Sequence, residues 1–473
     1  MLDKNLIPQI VFDEEPRFGE LYYKAWELAY QHIKTVPGLP VERYMDEACM
    51  PDRLWIWDTC FMVHFCKYAP QYFPGIQSLD NFYLPLYDGA ATPCQIHHVD
   101  NPPLFAWVEY EYYRFTGDKS RIRRNLVEKK YLQKHYEFLE NECRFAYDPP
   151  LSSTIALWQK TDVGYAWSGC PSGMDNTPRG RGSYHMILWV DALAQMALSA
   201  NYIAKLADEI GEADIAREYR EKYARKCGLL NKYYYRESDG CYYDIGIKNH
   251  CFCDVMTPAA FWVLLAEAAP EERAARLIKT ILDPNKFGGM VPLPTVSRDD
   301  PEFVDDGGYW RGSVWLPTTY MTVKALEKYG EFDLASEVAY RTIKHMADVY
   351  ENYLPHTIWE CYSPTAALPA KNGRNRVVRK DFCGWSALGP ISLFIENVLG
   401  FHRADAVEKV LEFHPRQSSG KYGVKNFKFG DVCCDIIVEN GTLNCRSNTG
   451  FTLIIDGCRH GICAGEQTIR FSR

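Results

Sequence analysis

"YHMILWVDALAQMALSANYIAKLADEIG", residues 184–211, runs almost directly into "DIAREYREKYARKCGLL", residues 214–230, and this pair decides the fold. Apolar residues recur at three- and four-residue spacing through both segments, which predicts two consecutive helices. Working outward, the same spacing appears in "FGELYYKAWELAYQHIK" (18–34) and "LFAWVEYEYYRFTG" (104–117). It returns in 257–269, 271–282, 313–330, 334–353 and 384–400, and more weakly in 57–69 and 125–143. Several of these segments end at Gly, as at Tyr329-Gly330 and Thr116-Gly117-Asp118, where a left-handed residue closes a helix without strain. The helices arrive in loose pairs over nearly 400 residues, with no strict repeat period. That arrangement predicts a closed double ring, an (α/α)6 barrel over residues 1–401, with its long loops gathered at one end.

After residue 420 the pattern changes. Short β-prone runs are separated by Asn440-Gly441 and Asp456-Gly457, the residue pairs that two-residue hairpins prefer. Residues 402–473 are therefore expected to form a small antiparallel β domain packed on the barrel.

Composition narrows the function. Of 473 residues, 47% are hydrophobic, the net charge is −8 and the basic residues are scattered, which argues against nucleic acid or an anionic membrane surface as the main partner. No apolar run reaches the length of a membrane span. The acidic N-terminus does not read as a secretion signal, so a cytoplasmic location is expected. The 17 cysteines show neither disulfide-framework nor zinc spacing and read as buried thiols of a reducing compartment. No metal or cofactor is expected.

Aromatic residues reach 14%, with 12 Trp and 32 Tyr, and four loop segments set aromatic rings beside carboxylates. They are "RLWIWDTCF" (53–61), "CPSGMDNTPRG" (170–180), "FVDDGGYWRGSVW" (303–315) and "HTIWECYSP" (356–364). Taken singly, each has a structural explanation: Asp58 or Asp175 as a helix cap, or Arg311 as an ion-pair partner. Together they have the composition of a sugar site, with rings to stack on sugar faces and charged groups to hold hydroxyls. Glycosidic hydrolysis needs two carboxyl groups, one to protonate the leaving oxygen and one to activate water or attack the anomeric carbon.

"SGMDNTPRG" resembles the acid-bearing segment of family 63 glycoside hydrolases and, more distantly, of trehalases. "GGYWRGSVWLPTTYMTVKALEKYG", "WIWDTCF", "GWSALG" and "DNPPLFAW" are similar to further signature stretches of that family, in the same order along the chain. The resemblance implies an (α/α)6 barrel that hydrolyses α-glucosidic linkages with inversion. An exo-acting enzyme is expected, with a small α-glucoside or oligosaccharide as substrate given the expected cytoplasmic location. It implies Asp175 as general acid and Glu360 as general base. Trp55, Trp57, Asp58, Trp310 and Arg311 would shape the terminal sugar subsite, and Asn101, Arg179, Tyr309, Trp359 and Trp385 complete the expected substrate-binding set. Two alternatives keep the barrel. An epimerase, lyase or phosphorylase would draw on His97, His98, His185 or His356, or on a phosphate site, and a binding protein would hold sugar without cleaving it.

Overall fold

The computed structural model describes residues 2–471 except 48–51, 97–102, 143–158, 168, 417 and 419. Structural statements below concern the described residues.

The helix Ile56–Cys66 is buried along its whole length, which requires apolar residues on every side of it. It packs on Phe105–Thr116, which packs on Val190–Glu209, which meets the short helix Trp262–Leu265. Trp262–Leu265 leads to Leu316–Lys328 and then to the π-helical segment Gly389–Val398, which packs back on Ile56–Cys66. Outside this succession, Ala213–Leu229 covers Val190–Glu209, while Pro16–Gln31 and Phe332–Asn352 cover Gly389–Val398. The outer position shows in burial. Ala213–Leu229 buries only Ala216, Tyr219 and Lys226, so one stripe meets the core and the rest of the helix meets solvent.

Three expected helices are shorter or broken. The helix expected from residue 184 begins at Val190. Gly180, Arg181 and Gly182 take φ of 63°, 49° and 85°, and Ile187–Leu188 pairs with Ile245–Gly246, so the chain reaches the helix only after a looped approach. The segment 257–269 reduces to a 3-10 turn, Pro258–Phe261, and Trp262–Leu265, with Glu267 at φ 57° just beyond. The segment from 125 breaks at Lys130, φ 55°, into a π turn and the helix Tyr131–Glu137.

The β-region forms two sheets. One is antiparallel throughout, in the order Gln9–Phe12, Tyr422–Phe429, Val432–Glu439, Thr442–Ser447, Gly465–Arg470. Its first strand comes from the N-terminal end of the chain. Val432–Glu439 alternates buried and half-buried residues, as expected when one face packs on a core. The second sheet runs Arg403–Asp405, Val410–Phe413, Phe451–Ile455, Cys458–Ile462. Here the expected antiparallel arrangement is corrected at one pair: Val410–Phe413 and Phe451–Ile455 run parallel. The chain between them builds three strands of the other sheet before returning, and such a crossover permits parallel pairing. No described helix is long and apolar enough to cross a membrane.

Candidate active site

Tryptophan occupies the position just before four helices of the central ring. Trp55 precedes Ile56–Cys66, Trp189 precedes Val190–Glu209, Trp315 precedes Leu316–Lys328, and Trp385 precedes the 3-10 turn that opens Gly389–Val398. None of these residues has a side-chain oxygen to cap the helix, so the entrances are held by loops packed across them.

The loop 169–183 carries Asp175, which is exposed. Gly169 lies so close beneath it that a Cβ there would stand 2.0 Å from the Asp175 carbonyl oxygen. Gly173, at φ 75°, lies over the Trp57 indole, and a Cβ at that position would sit 2.8 Å from the ring. The neighbouring Asn176 fixes the loop to a second one, donating from Nδ2 to the Gly308 carbonyl at 3.0 Å and accepting from the Trp310 N–H at 2.8 Å.

That second loop presents Tyr309 at φ 70°, a left-handed conformation uncommon for a bulky residue. The Tyr309 hydroxyl donates to Glu360 Oε1 at 3.0 Å. Burial, then the negative charges of Glu360 and Asp175, push this phenol far above its ordinary value, so it stays a neutral donor. Glu360 is buried and also accepts the Arg379 backbone N–H on Oε2 at 3.2 Å, with the Arg379 guanidinium 3.7 Å from Oε1. Its backbone carbonyl takes the Trp385 indole N–H at 3.1 Å. Trp310 stacks on Trp315 with ring centroids 4.0 Å apart, and Trp385 lies 5.6 Å from Trp315. Asp58 completes the cluster. Burial pushes its carboxyl up to about 6, against the lowering effects of a hydrogen bond with Glu47 and the charge of Arg379, while Glu360 adds to the rise.

Of the expected residues, Asp175, Glu360, Asp58, Tyr309, Trp310 and Trp385 come together through these contacts, with Trp57 under the Asp175 loop and Trp55 half-buried at its helix entrance. Arg179 requires correction as a substrate-binding residue. It is fully buried, donates Nε and Nη2 to Asp244 and both terminal nitrogens to Asp191, and stacks over Trp189. Its role is to pin the Asp175 loop to the helix entrance. Arg311 is paired with Glu302, and Trp359 is buried against Tyr353. His356 is exposed and bonded to the Tyr350 carbonyl. Asn101, His97 and His98 lie outside the described residues, as does the His185 side chain. Sequence reading missed Asn176, Arg379, Trp315 and Glu47. Only Trp315, one residue before a Leu-Pro helix start, carried a signal that could have found it.

A family model described as the mannosylglycerate hydrolase MGH1-like glycoside hydrolase domain matches residues 87–375, more than half of the chain. An uncharacterized protein of Borreliella burgdorferi is 27% identical over 84% of this chain and 83% of its own. The mannosyl-oligosaccharide glucosidase of Saccharomyces cerevisiae is 24% identical over 57% of this chain, a match that spans 32% of the yeast protein. Among solved structures, the GH63 mannosylglycerate hydrolase of Thermus thermophilus in complex with Tris superposes with a TM-score of 0.58 at 19% identity, covering 79% of this chain and 99% of that one. The neutral trehalase Nth1 of Saccharomyces cerevisiae gives 0.54 at 13% identity, covering 76% of each chain.

Proposed function

The chain belongs to the MGH1-like glycoside hydrolase family and is a glycoside hydrolase; from that premise we propose an inverting, exo-acting α-glycosidase of small α-glucosides or oligosaccharides. The observation that carries the reading is Tyr309, bonded to Glu360 and close enough to Asp175 to feel its charge. One residue thereby relates the two carboxyl groups that the reaction needs. Asp175, exposed on its loop, delivers a proton to the leaving oxygen. Glu360, buried and oriented by the Tyr309 hydroxyl and the Arg379 backbone N–H, takes a proton from the water that attacks the anomeric carbon from the opposite face. Trp310, backed by the fully buried Trp315, supplies a ring of the terminal sugar subsite, and Asp58 and Arg379 supply hydroxyl-binding groups.

The closed succession of six helical segments with outer partners supports an (α/α)6 barrel, residues 1–401, carrying the smaller β unit, residues 402–473. Proton NMR of the anomeric signals during cleavage of α-linked disaccharides and aryl α-glucosides tests the mechanism. Initial β-anomer is expected, and initial α-anomer overturns inversion. Mannosylglycerate, which the description of the matching family names, is the second substrate to try in the same panel.

A further inference from the structure

The helix ends opposite the tryptophan-bearing entrances enclose a cavity of ≈ 260 Å³. Its walls come from the far ends of the same helices: Lys67 after Ile56–Cys66, Arg114 in the last turn of Phe105–Thr116, Lys324 and Lys328 in the last turns of Leu316–Lys328, and Glu396 in Gly389–Val398. The β-region closes it with Ala404 and Phe427, and none of the residues around Asp175 lines it. At about 30 Å³ per water, the space exceeds what one or two structural waters fill.

The lining selects a class of ligand. Six basic and four acidic side chains face the cavity, and they are largely spent on one another. Lys67 and Lys324 reach Glu396 at 3.0 and 2.9 Å, and Arg403 reaches Glu412 at 2.6 Å. The remaining positive excess is offset from behind the wall, where Arg114 pairs with Glu209, Asp405 and Glu408 and Lys205 with Glu267. A net-charged ligand is therefore not favoured. Hydrogen-bonding capacity is nevertheless unspent. Glu111 and Lys328 line the cavity with no hydrogen bond or ion pair to another described residue, one offering an acceptor and the other a donor. Tyr110 and Phe332, both half-buried, give the wall its aromatic surface.

We propose that this cavity is a second binding site, distinct from the Asp175 cluster, for a neutral polyol the size of one pyranose ring. Hydroxyls supply both donors and acceptors without charge, for Glu111 and Lys328, and the C–H face of the ring packs on Tyr110 and Phe332.

The test is calorimetric titration of the full chain with D-glucose and D-mannose, alongside a crystal grown with D-glucose. Ala404→Phe, which fills the cavity, is expected to weaken one sugar-binding event at least tenfold while hydrolysis stays at the wild-type rate. Glu111→Gln, a milder change to the same lining, is expected to weaken it severalfold, and the crystal is expected to show a pyranose in the cavity. Sugar affinities unchanged in both variants, or ordered water alone in the cavity, overturn the proposal. Absent hydrolysis with this binding intact would sink the glycosidase mechanism and leave the second site standing.

Discussion

The Tyr309 hydroxyl lies 3.0 Å from Glu360 Oε1, and the backbone on either side of Tyr309, at Gly308 and Trp310, is gripped by Asn176, the residue after Asp175. Two loops far apart in sequence are therefore tied together. The left-handed backbone at Tyr309 is the strained conformation such a clamp can hold in place. It aims the phenol at Glu360 while keeping the Asp175 loop at a fixed position beside it.

Tyr309→Phe removes a hydrogen bond to a charged acceptor and little packing. Such bonds are worth about 1.5–3 kcal/mol, so kcat/KM on an α-glucoside is expected to fall about 10- to 100-fold. Steady-state kinetics with a parallel thermal melt checks this. A fall in melting temperature with unchanged kcat/KM would assign Tyr309 a purely structural role.

Asp175→Asn and Glu360→Gln separate chemistry from folding. General acid and base groups contribute about 10²–10⁴-fold each, so both variants should lose activity on that scale. Their stabilities should diverge. Asp175 is exposed, and its amide variant should stay within about 0.5 kcal/mol of wild type. Glu360 is buried among Tyr309, Arg379 and Trp385, so Glu360→Gln should cost measurably more. Chemical denaturation of the two purified variants decides it, and equal stabilities would contradict the difference in burial.

Much of this was legible because it is local. Asn440-Gly441 and Asp456-Gly457 announced hairpin turns, and all four residues adopt positive φ there, linking Val432–Glu439 to Thr442–Ser447 and Phe451–Ile455 to Cys458–Ile462. Helical periodicity located the long helices to within a few residues, except at the start of the one expected from residue 184, which begins at Val190. What stayed hidden depends on distant chain. Gln9–Phe12 becomes an edge strand only because Tyr422–Phe429 offers it a partner. Arg179 looked like a loop arginine free for substrate, and only the fold reveals Asp191 and Asp244 closing on it. Arg379 sits in a charged, motif-free run, and nothing local marks its backbone as a partner of Glu360.

Gly173 tests how tightly the Asp175 loop is seated. Its φ of 75° already disfavours a side chain, and the Cβ of alanine would press into the Trp57 ring. Gly173→Ala is expected to cost about 1–3 kcal/mol of stability and to lower kcat/KM at least tenfold through displacement of Asp175. In a Trp57→Ala background, which removes the ring, Gly173→Ala should cost less than it does in the wild type. An equal cost in both backgrounds would show that the contact is not the source of the loss.

Glu396, far from Asp175, should govern acid stability. Burial alone would raise its carboxyl, but Lys324, Lys67 and the Tyr68 hydroxyl outweigh burial and hold it at about 2, below its ordinary 4.5. The unfolded chain therefore binds this proton more readily than the folded one. The stabilisation is complete above about pH 4.5 and is lost as pH falls from there toward 2, amounting to about 3 kcal/mol in all. Glu396→Gln should remove that acid-side slope. It should also lower stability at pH 7 by about 3–5 kcal/mol, because Lys67 would remain buried without its carboxylate while Lys324 keeps only Glu327. Urea unfolding of wild type and variant at intervals from pH 7 to 3 reads both effects. Curves that converge toward acid support the buried triad, and curves that stay parallel refute it.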